Sequence, residues 1–240
     1  MRLSKRIYAL ADAVNQGDSV ADIGTDHGYV PMLLMRDGRS PRVIMSDISE
    51  GSLAKAKETF ELAHLSDKVD AADFRIGDGL ETVCNGEVDE IIIGGLGGHT
   101  IVQILDADAE KSRSFKRLVL QPRKHSGSLR YYLYTHGWDI ESEMLAEEGK
   151  FACEIITAVP GAETRREPPY PEEDRRWKYP ECLAEADADL AKNRIEWKIS
   201  SIKEEIDNLK KSGKEHDDLL ERLGSDLEYL LLLNSKCTGI

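Results

Sequence analysis

The sequence predicts an α/β fold in which a mostly parallel sheet ends in an antiparallel hairpin and is followed by two long helices. Between residues 19 and 160, short runs rich in Val and Ile alternate with amphipathic stretches, the pattern of β-α units around a parallel sheet. The last two apolar runs are separated only by residues 146–150. This is too short for a crossover helix, so these two strands should pair antiparallel.

Strands are predicted at 19–23, 42–46, 73–76, 89–93, 117–120, 138–145 and 151–159. Helices are predicted at 4–14, 30–36, 52–64, 99–105 and 126–135. Residues 161–180 hold four prolines and many charges, which predict a linker or an ordered arm. We therefore expect one domain over 1–160, a linker over 161–180 and a helical domain over 181–240.

The region after residue 180 carries two apolar stripes at helical spacing on either side of Gly213. They are Ile195, Ile199, Ile202, Ile206 and Leu209, then Leu220, Leu223, Leu227 and Leu230. Two helices folded back as a coiled-coil αα-hairpin would bury both stripes. Dimerisation or contact with a substrate are the alternatives.

Composition narrows the class of protein. The 240 residues contain 40% hydrophobic and 32% charged residues, which suits a globular chain, and no run approaches the roughly 18 apolar residues that span a bilayer. Four cysteines without C-x-x-C spacing predict neither a metal site nor disulfides. We expect a cytoplasmic protein without a metal or membrane partner, and a monomer is compatible with the sequence. The net charge of −13 disfavours non-specific nucleic-acid binding but leaves room for a local basic patch.

The first strand-to-helix turn predicts a nucleoside-containing cofactor. Asp22 and Gly24 close the first strand, and Asp47 ends the second strand 25 residues after Asp22, the spacing of a ribose-binding acid. The turn from Gly24 to Gly28 does not read G-x-G-x-x-G, and Asp26 would repel a pyrophosphate. A sulfonium cation suits that carboxylate, so we predict S-adenosylmethionine. The alternative is that both glycines only make a tight turn.

The third and fourth strand ends complete the predicted cofactor site. Asp78 is placed to bind the adenine amine, and the loop Gly94–Gly98 lets a flat base approach closely. The loop lacks the Asp/Asn-Pro-Pro-aromatic turn common in enzymes that methylate an exocyclic amine, so a ring nitrogen is a consistent target. The predicted cofactor-binding residues are Asp22, Gly24, Thr25, Asp26, His27, Gly28, Asp47, Ile48, Gly77, Asp78, Gly79 and Gly94.

The predicted catalytic residues are Asp26, His27, Gly95, Leu96 and Gln121. His27 is either a base that removes a proton after methyl transfer or a structural residue that bonds the helix N-terminus. Gln121, at the end of the fifth strand, either bonds a base edge or is a solvated strand end.

Six motifs in residues 1–160 resemble the bacterial tRNA adenine-N1 methyltransferases that act on position 22. They lie at 21–31 (Ala-Asp-Ile-Gly-Thr-Asp-His-Gly-Tyr-Val-Pro), 46–48, 75–80, 94–98, 120–122 and 147–150. The resemblance implies a class I methyltransferase fold, which is Rossmann-like, S-adenosylmethionine as donor and a full tRNA as substrate. Leu96 stands where many members have Met, a swap of similar volume.

A tRNA substrate requires phosphate contacts, for which nine basic residues are candidates. They are Arg2, Lys5, Arg6, Arg36, Arg39, Arg42, Arg123, Lys124 and Arg130. The alternative for each of these residues is a solvated surface charge that contacts no RNA. The functional alternatives are a methyltransferase of the same fold that acts on a small molecule or a protein, and a non-catalytic module that binds the cofactor and a partner.

Overall fold

A computed structural model describes residues 3–65, 71–149, 151–182, 188–212 and 216–237. Its described strands form one seven-stranded sheet in the order β3-β2-β1-β4-β5-β7-β6. The strands are β1 (Val20–Ile23), β2 (Val43–Asp47), β3 (Ala72–Ile76), β4 (Glu90–Leu96), β5 (Arg117–Pro122), β6 (Trp138–Glu148) and β7 (Phe151–Pro160). The first five are parallel, and β7 pairs antiparallel with both β5 and β6. The predicted sheet and its terminal hairpin are confirmed.

Helices cover both faces of the sheet. They are α1 (Lys5–Asp12), α2 (Tyr29–Arg36), α3 (Glu50–Leu62), α4 (Gly98–Asp106), α5 (Ala109–Arg113), α6 (Ser126–Thr135), α7 (Arg175–Lys178), α8 (Ala188–Ser212) and α9 (Asp217–Cys237). Leu10, Leu33 and Phe60 bring α1, α2 and α3 into the core on one face, and Ile101 and Leu133 bring α4 and α6 into the core on the other. None of the described helices is long and apolar enough to cross a membrane.

The parallel register brings the carboxyl ends of β1 to β4 to one edge of the sheet. Asp22 is opposite Met45 on β2 and Ile92 on β4, and Asp47 is opposite Ile76 on β3. Ligands of open α/β sheets bind in the crevice outside these ends. The residues predicted for the site therefore start from neighbouring positions.

The loop predicted at 94–98 is partly strand. β4 continues through Leu96 with a bulge, at which Gly95 adopts φ 82°. A bulge leaves one residue out of the ladder and redirects the strand, and the left-handed φ is one that glycine adopts without strain. Gly94 and Gly95 thus form the bent end of β4, while Gly97 and Gly98 begin α4.

Residues 161–182 form an ordered arm, not a free linker. Trp177 of α7 is buried, and its indole Nε1 donates to the carbonyl of Pro171 at 3.0 Å. The arm packs on α6, where a Cβ on Gly127 would lie 3.1 Å from Cα of Lys178. The short helices α5 and α7 were not predicted, because at four or five residues they show no apolar periodicity.

Helices α8 and α9 pack as the predicted antiparallel hairpin. Their buried seam contains Ile195, Ile199, Ile202, Leu223 and Leu230. Leu233 of α9 and Tyr179 of the arm extend this seam. Ala191 of α8 contacts Leu145 of β6. The two helices therefore pack on the sheet as well as on each other. Its coiled-coil winding and the division into domains stay predictions, and Gly213 lies outside the described residues.

Candidate active site

A cavity of about 880 Å³ opens at the carboxyl edge of β1, β2, β3 and β4. We call it the donor cavity. It brings together nearly all of the predicted site residues: Asp22, Gly24, Thr25, Asp26, His27, Asp47, Ile48, Gly77, Asp78, Gly79, Gly94, Gly95 and Leu96. Gly28 and Gln121 do not line it.

Gly28 serves helix packing. It caps the N-terminus of α2 with φ 64°, and a Cβ on it would approach the Cβ of Ala56 on α3 to 2.9 Å. The residue is therefore fixed as glycine by a left-handed conformation and by the close approach of α3. Its backbone N–H donates to the carbonyl of Thr25 at 2.9 Å, within the turn.

Gln121 is not a solvated strand end. Its side chain is 1% exposed, and its Oε1 accepts from the backbone N–H of Gly95 and from Nη1 of Arg6, each at 3.1 Å. Its Nε2 donates to the carbonyl of Pro122 at 3.1 Å. Because the amide is engaged at both ends inside the protein, Gln121 holds the β4 bulge in place rather than presenting a free edge to a base.

Asp22 is a buried carboxylate on the floor of the donor cavity. It is 6% exposed, and it accepts a hydrogen bond from the hydroxyl of Thr25 at 2.7 Å. Burial raises the pKa of Asp22 to about 6; the Thr25 hydroxyl and the charge of Arg6 oppose this rise, and the charge of Asp47 adds to it. A cation bound nearby would favour the ionised form.

Asp47 ends β2 with its carboxylate fixed by backbone donors. Its Oδ1 accepts from the N–H of Ser49 at 2.9 Å and its Oδ2 from the N–H of Asp26 at 3.2 Å. Each carboxylate oxygen retains a lone pair for a further donor. The adjacent Ile48 is 72% exposed and lines the cavity, which places an apolar surface beside an oriented acid.

Asp26 and His27 lie at the mouth of the donor cavity. Asp26 adopts φ 47°, and its Oδ1 is 3.2 Å from Nζ of Lys55 on α3. The ring of His27 stacks on Tyr29 at 5.1 Å between centroids, and its Nε2 is 3.6 Å from Oδ2 of Asp26. Both side chains remain about half exposed, so each is accessible to solvent and to a ligand at the mouth.

The donor cavity is lined by more acids than cations. Its carboxylates are Asp22, Asp26, Asp47, Asp78, Glu81 and Asp108, and its permanent cations are Arg6, Lys111 and Arg123. This balance suits a ligand with net positive charge and disfavours a pyrophosphate.

Helices α1 and α4 supply walls that the sequence did not indicate. Arg6 and Leu10 come from α1, and Gln103 and Ile104 come from α4. No motif marks them, because they reach the cavity only through helix packing. Arg6 had been predicted as a phosphate contact, but its side chain is 15% exposed and its Nε donates to Oε1 of Glu148 at 2.7 Å.

Other predicted phosphate contacts also have internal partners. Arg130 is 2% exposed and bonds both Glu143 and Glu154, so its prediction as an RNA contact is wrong. Four further cations are in ion pairs: Lys5 with Glu147, Arg36 with Asp37, Arg39 with Asp12, and Arg42 with Glu87. Within the described part of the chain, Arg123 and Lys124 make no ion pair. Arg2 lies outside it.

Comparison with known proteins agrees with this geometry. A family described as "Methyltransferase domain" matches residues 3–156. The tRNA (adenine(22)-N(1))-methyltransferase of Bacillus subtilis is 34% identical over 161 residues, which cover 67% of this chain and 66% of that protein. The chain thus spans just under two thirds of this curated relative.

Solved structures extend the likeness over the whole chain. The crystal structure of the B. subtilis m1A22 tRNA methyltransferase has a TM-score of 0.75 at 26% identity, covering 97% of this chain and 99% of that one. A putative tRNA (m1A22) methyltransferase of Streptococcus pneumoniae has a TM-score of 0.83 at 23% identity, covering 97% and 100%. The chain therefore belongs to the family described as "Methyltransferase domain".

Proposed function

We propose that this protein transfers a methyl group from S-adenosylmethionine to N1 of the adenine at position 22 of tRNA. The observation that carries the proposal is the donor cavity, where Asp22, Asp47 and Asp78 lie at or just after the ends of three neighbouring strands, beside the bare bulge of β4. The activity named for the B. subtilis relative supports the choice of base and ring atom.

The residues of the donor cavity fit S-adenosylmethionine. Asp47 would hold the ribose hydroxyls, the exposed Ile48 would pack on the adenine, and Asp78 would bind its amine. Buried Asp22 suits the ammonium of the amino-acid tail, and Arg6 beside it suits the carboxylate. When bound, the cofactor supplies a methyl group activated by a sulfonium.

The bulge of β4 suits the approach of a flat base. Gly94 and Gly95 present no side chain at the cavity wall, and Gln121 holds the bulge from behind. A ring nitrogen attacks through its own lone pair, so positioning is the main task of these residues. We assign to Asp26 and His27, the half-exposed groups at the mouth of the cavity, the task of accepting the proton that the methylated product later releases.

Transfer of tritium from labelled S-adenosylmethionine to an unmodified tRNA transcript tests this function. We expect label in the RNA with the natural chain and its loss with Asp47→Ala. Cofactor binding without methylation of any tRNA would instead favour the same fold acting on a small molecule or protein, or a non-catalytic module. A tRNA substrate also predicts a cytoplasmic protein.

A further inference from the structure

The loop that follows β3, residues 77–82, forms one wall of the donor cavity. We call it the β3 loop. Residues 77–81 line the cavity, and the last four residues of the loop form the 3-10 turn Gly79–Thr82. Asp78 precedes this turn, yet its carboxylate makes no capping hydrogen bond with it. The direction of the Asp78 carboxylate therefore depends on the backbone that carries it, whereas the carboxylate of Asp47 is fixed by two backbone donors.

Arg75, one residue before the end of β3, holds the β3 loop from behind. Its side chain is 24% exposed and does not line the donor cavity. Nη1 donates to the carbonyl of Thr82, the last residue of the loop, at 2.6 Å and to Oε2 of Glu87 at 2.8 Å. Nη2 donates to Oε1 of Glu87 and to Oδ2 of Asp73, each at 2.6 Å, and Nε donates to the same Asp73 oxygen at 2.9 Å. These contacts can engage all five N–H donors of a guanidinium, so Arg75 has none left for a ligand.

Glu87 anchors this guanidinium beyond the loop. Its carboxylate also accepts from the backbone N–H of Cys84 at 3.0 Å and from Nη2 of Arg42 at 2.8 Å. The hydrogen bonds from Arg75 hold the pKa of Glu87 well below its usual range, so this ion pair keeps both charges near neutral pH. The pair thus joins the strand before the β3 loop to a residue after it.

Thr82 connects the β3 loop to β2. Its hydroxyl donates to the hydroxyl oxygen of buried Ser46 at 2.8 Å, and a Cβ on Gly77 would lie 2.6 Å from its Cγ2 methyl. On the other side of the loop, a Cβ on Gly79 would lie 3.2 Å from Cγ2 of Ile104 on α4. Because the loop packs closely on both sides, the position of Thr82 fixes the residues before it.

We propose that Arg75 is a positioning residue that aims Asp78 at the amine of the cofactor adenine by holding the carbonyl of Thr82. This inference rests on the proposed function, in which Asp78 binds that amine. Residues behind a site hold its contacting groups in productive geometry, and Arg75 lies behind the wall that Asp78 belongs to. It adds a determinant of specificity for the adenine base that does not itself touch the ligand.

Titration with S-adenosylhomocysteine and with S-inosylhomocysteine tests this role. The second ligand carries a carbonyl oxygen in place of the adenine amine, so Asp78 cannot accept a hydrogen bond from it. We expect Arg75→Gln to weaken binding of S-adenosylhomocysteine about tenfold, the effect of one hydrogen bond to a charged group, and to leave S-inosylhomocysteine binding unchanged. Arg42→Gln is the matched control and should change neither affinity, because the hydrogen bonds of Arg42 within the described residues go to Glu87 alone.

Two further variants keep the test decisive if Arg75→Gln does not fold. Thr82→Val keeps the shape of the side chain and removes its bond to Ser46, so we expect the same selective loss at about threefold. In an Asp78→Ala background, Arg75→Gln should have no further effect on S-adenosylhomocysteine binding, because Arg75 acts through Asp78.

Equal changes for the two ligands, including none, would overturn the inference, since Arg75 would then only support the fold. An undiminished effect of Arg75→Gln in the Asp78→Ala background would overturn it as well. Unchanged S-adenosylhomocysteine affinity in Asp78→Ala alone would overturn the adenine contact on which the inference rests. The expected selective loss in a protein that methylates no tRNA would overturn the proposed function and leave the role of Arg75 in place.

Discussion

The donor cavity and a second groove next to it are built in opposite ways. The cavity is formed largely by turns that follow the ends of β1 to β4, and its carboxylates outnumber its cations. The second groove, which we call the hairpin groove, has a volume of about 930 Å³ and is assembled from the β5–α6 junction, the β6–β7 hairpin, the arm and the last two helices. Among the described residues that line it, the charges without a partner are mainly cations: Arg123, Lys124, Lys198 and Arg222. An acidic protein can thus serve a cationic cofactor and a polyanionic substrate by keeping the two charge distributions apart.

The largest effect is expected where the groove is attached to the sheet. Arg130 bonds Glu143 at 2.8 Å and Glu154 at 2.7 Å, and its Nη1 donates to the carbonyl of Trp177 at 3.1 Å. Arg130→Met leaves two buried carboxylates without this partner, so we expect a loss of about 3–5 kcal/mol in the free energy of unfolding. Urea denaturation measures it.

Arg36→Met is the control for Arg130→Met. Arg36 pairs with Asp37 at the surface, where an ion pair contributes about 0–1 kcal/mol. Equal small losses in the two variants would contradict the role given to Arg130.

The next effect separates the two sites. Asp47→Asn removes the charge from both ribose hydrogen bonds, and we expect cofactor affinity to fall about a hundredfold with tRNA affinity unchanged. Isothermal titration with S-adenosylhomocysteine and filter binding with tRNA measure the two affinities. A parallel loss of both would mean that the two spaces do not act separately. Glu81→Gln, on the exposed rim of the cavity, controls for charge.

A smaller effect tests the tail end of the donor cavity. Arg6→Gln should weaken binding of S-adenosylhomocysteine about tenfold, because an arginine–carboxylate pair is lost. Binding of 5′-methylthioadenosine, which has no amino-acid tail, should not change. If Arg6 only supports the fold through Glu148 and Gln121, both ligands will weaken equally. Lys111→Gln is the control at the Leu80 side of the cavity, where the lysine donates to the carbonyl of Leu80.

The last effect, similar in size to that of Arg6→Gln, is the pH dependence of cofactor binding. The pKa of Asp22 is raised to about 6, so its carboxyl becomes neutral as the pH falls below that value. The ammonium of the ligand then loses its counter-charge, and we expect affinity about tenfold lower at pH 5 than above pH 7. Asp22→Asn should bind weakly at both values. A flat profile in the natural chain would contradict the assignment. Without ligand the sign reverses: this group destabilises the fold as the pH rises from about 4 to 6.

The sequence predicted the donor cavity better than the groove for a physical reason. A parallel sheet brings strand ends together, so residues such as Asp22, Asp47 and Asp78 could be placed from strand order alone. Arg6 and Ile104 reach the same cavity through helix packing, which no local pattern records. The bulge at Gly95 was also missed, because a glycine run reads equally as a loop.

Charged residues were the least predictable part of the chain. The sequence predicted Arg130 as a surface cation, but it is buried and forms ion pairs with two carboxylates of the β6–β7 hairpin. Lys198 and Trp197 belong to a helix whose apolar stripe predicted a packed hairpin, with dimerisation or contact with a substrate as the alternatives. Their exposure in a groove depends on how that helix meets the sheet. Sequence spacing predicts which face of a helix or strand is apolar. Ion pairs between residues far apart in the sequence decide which charged side chains remain unpaired.

Mass mapping of nucleosides in a methylated tRNA transcript tests the central claim most directly. After incubation with S-adenosylmethionine, we predict 1-methyladenosine at position 22 and no methylation of a transcript with guanine there. A methyl group on another atom or position, or an unmodified tRNA despite measured cofactor binding, would contradict the account.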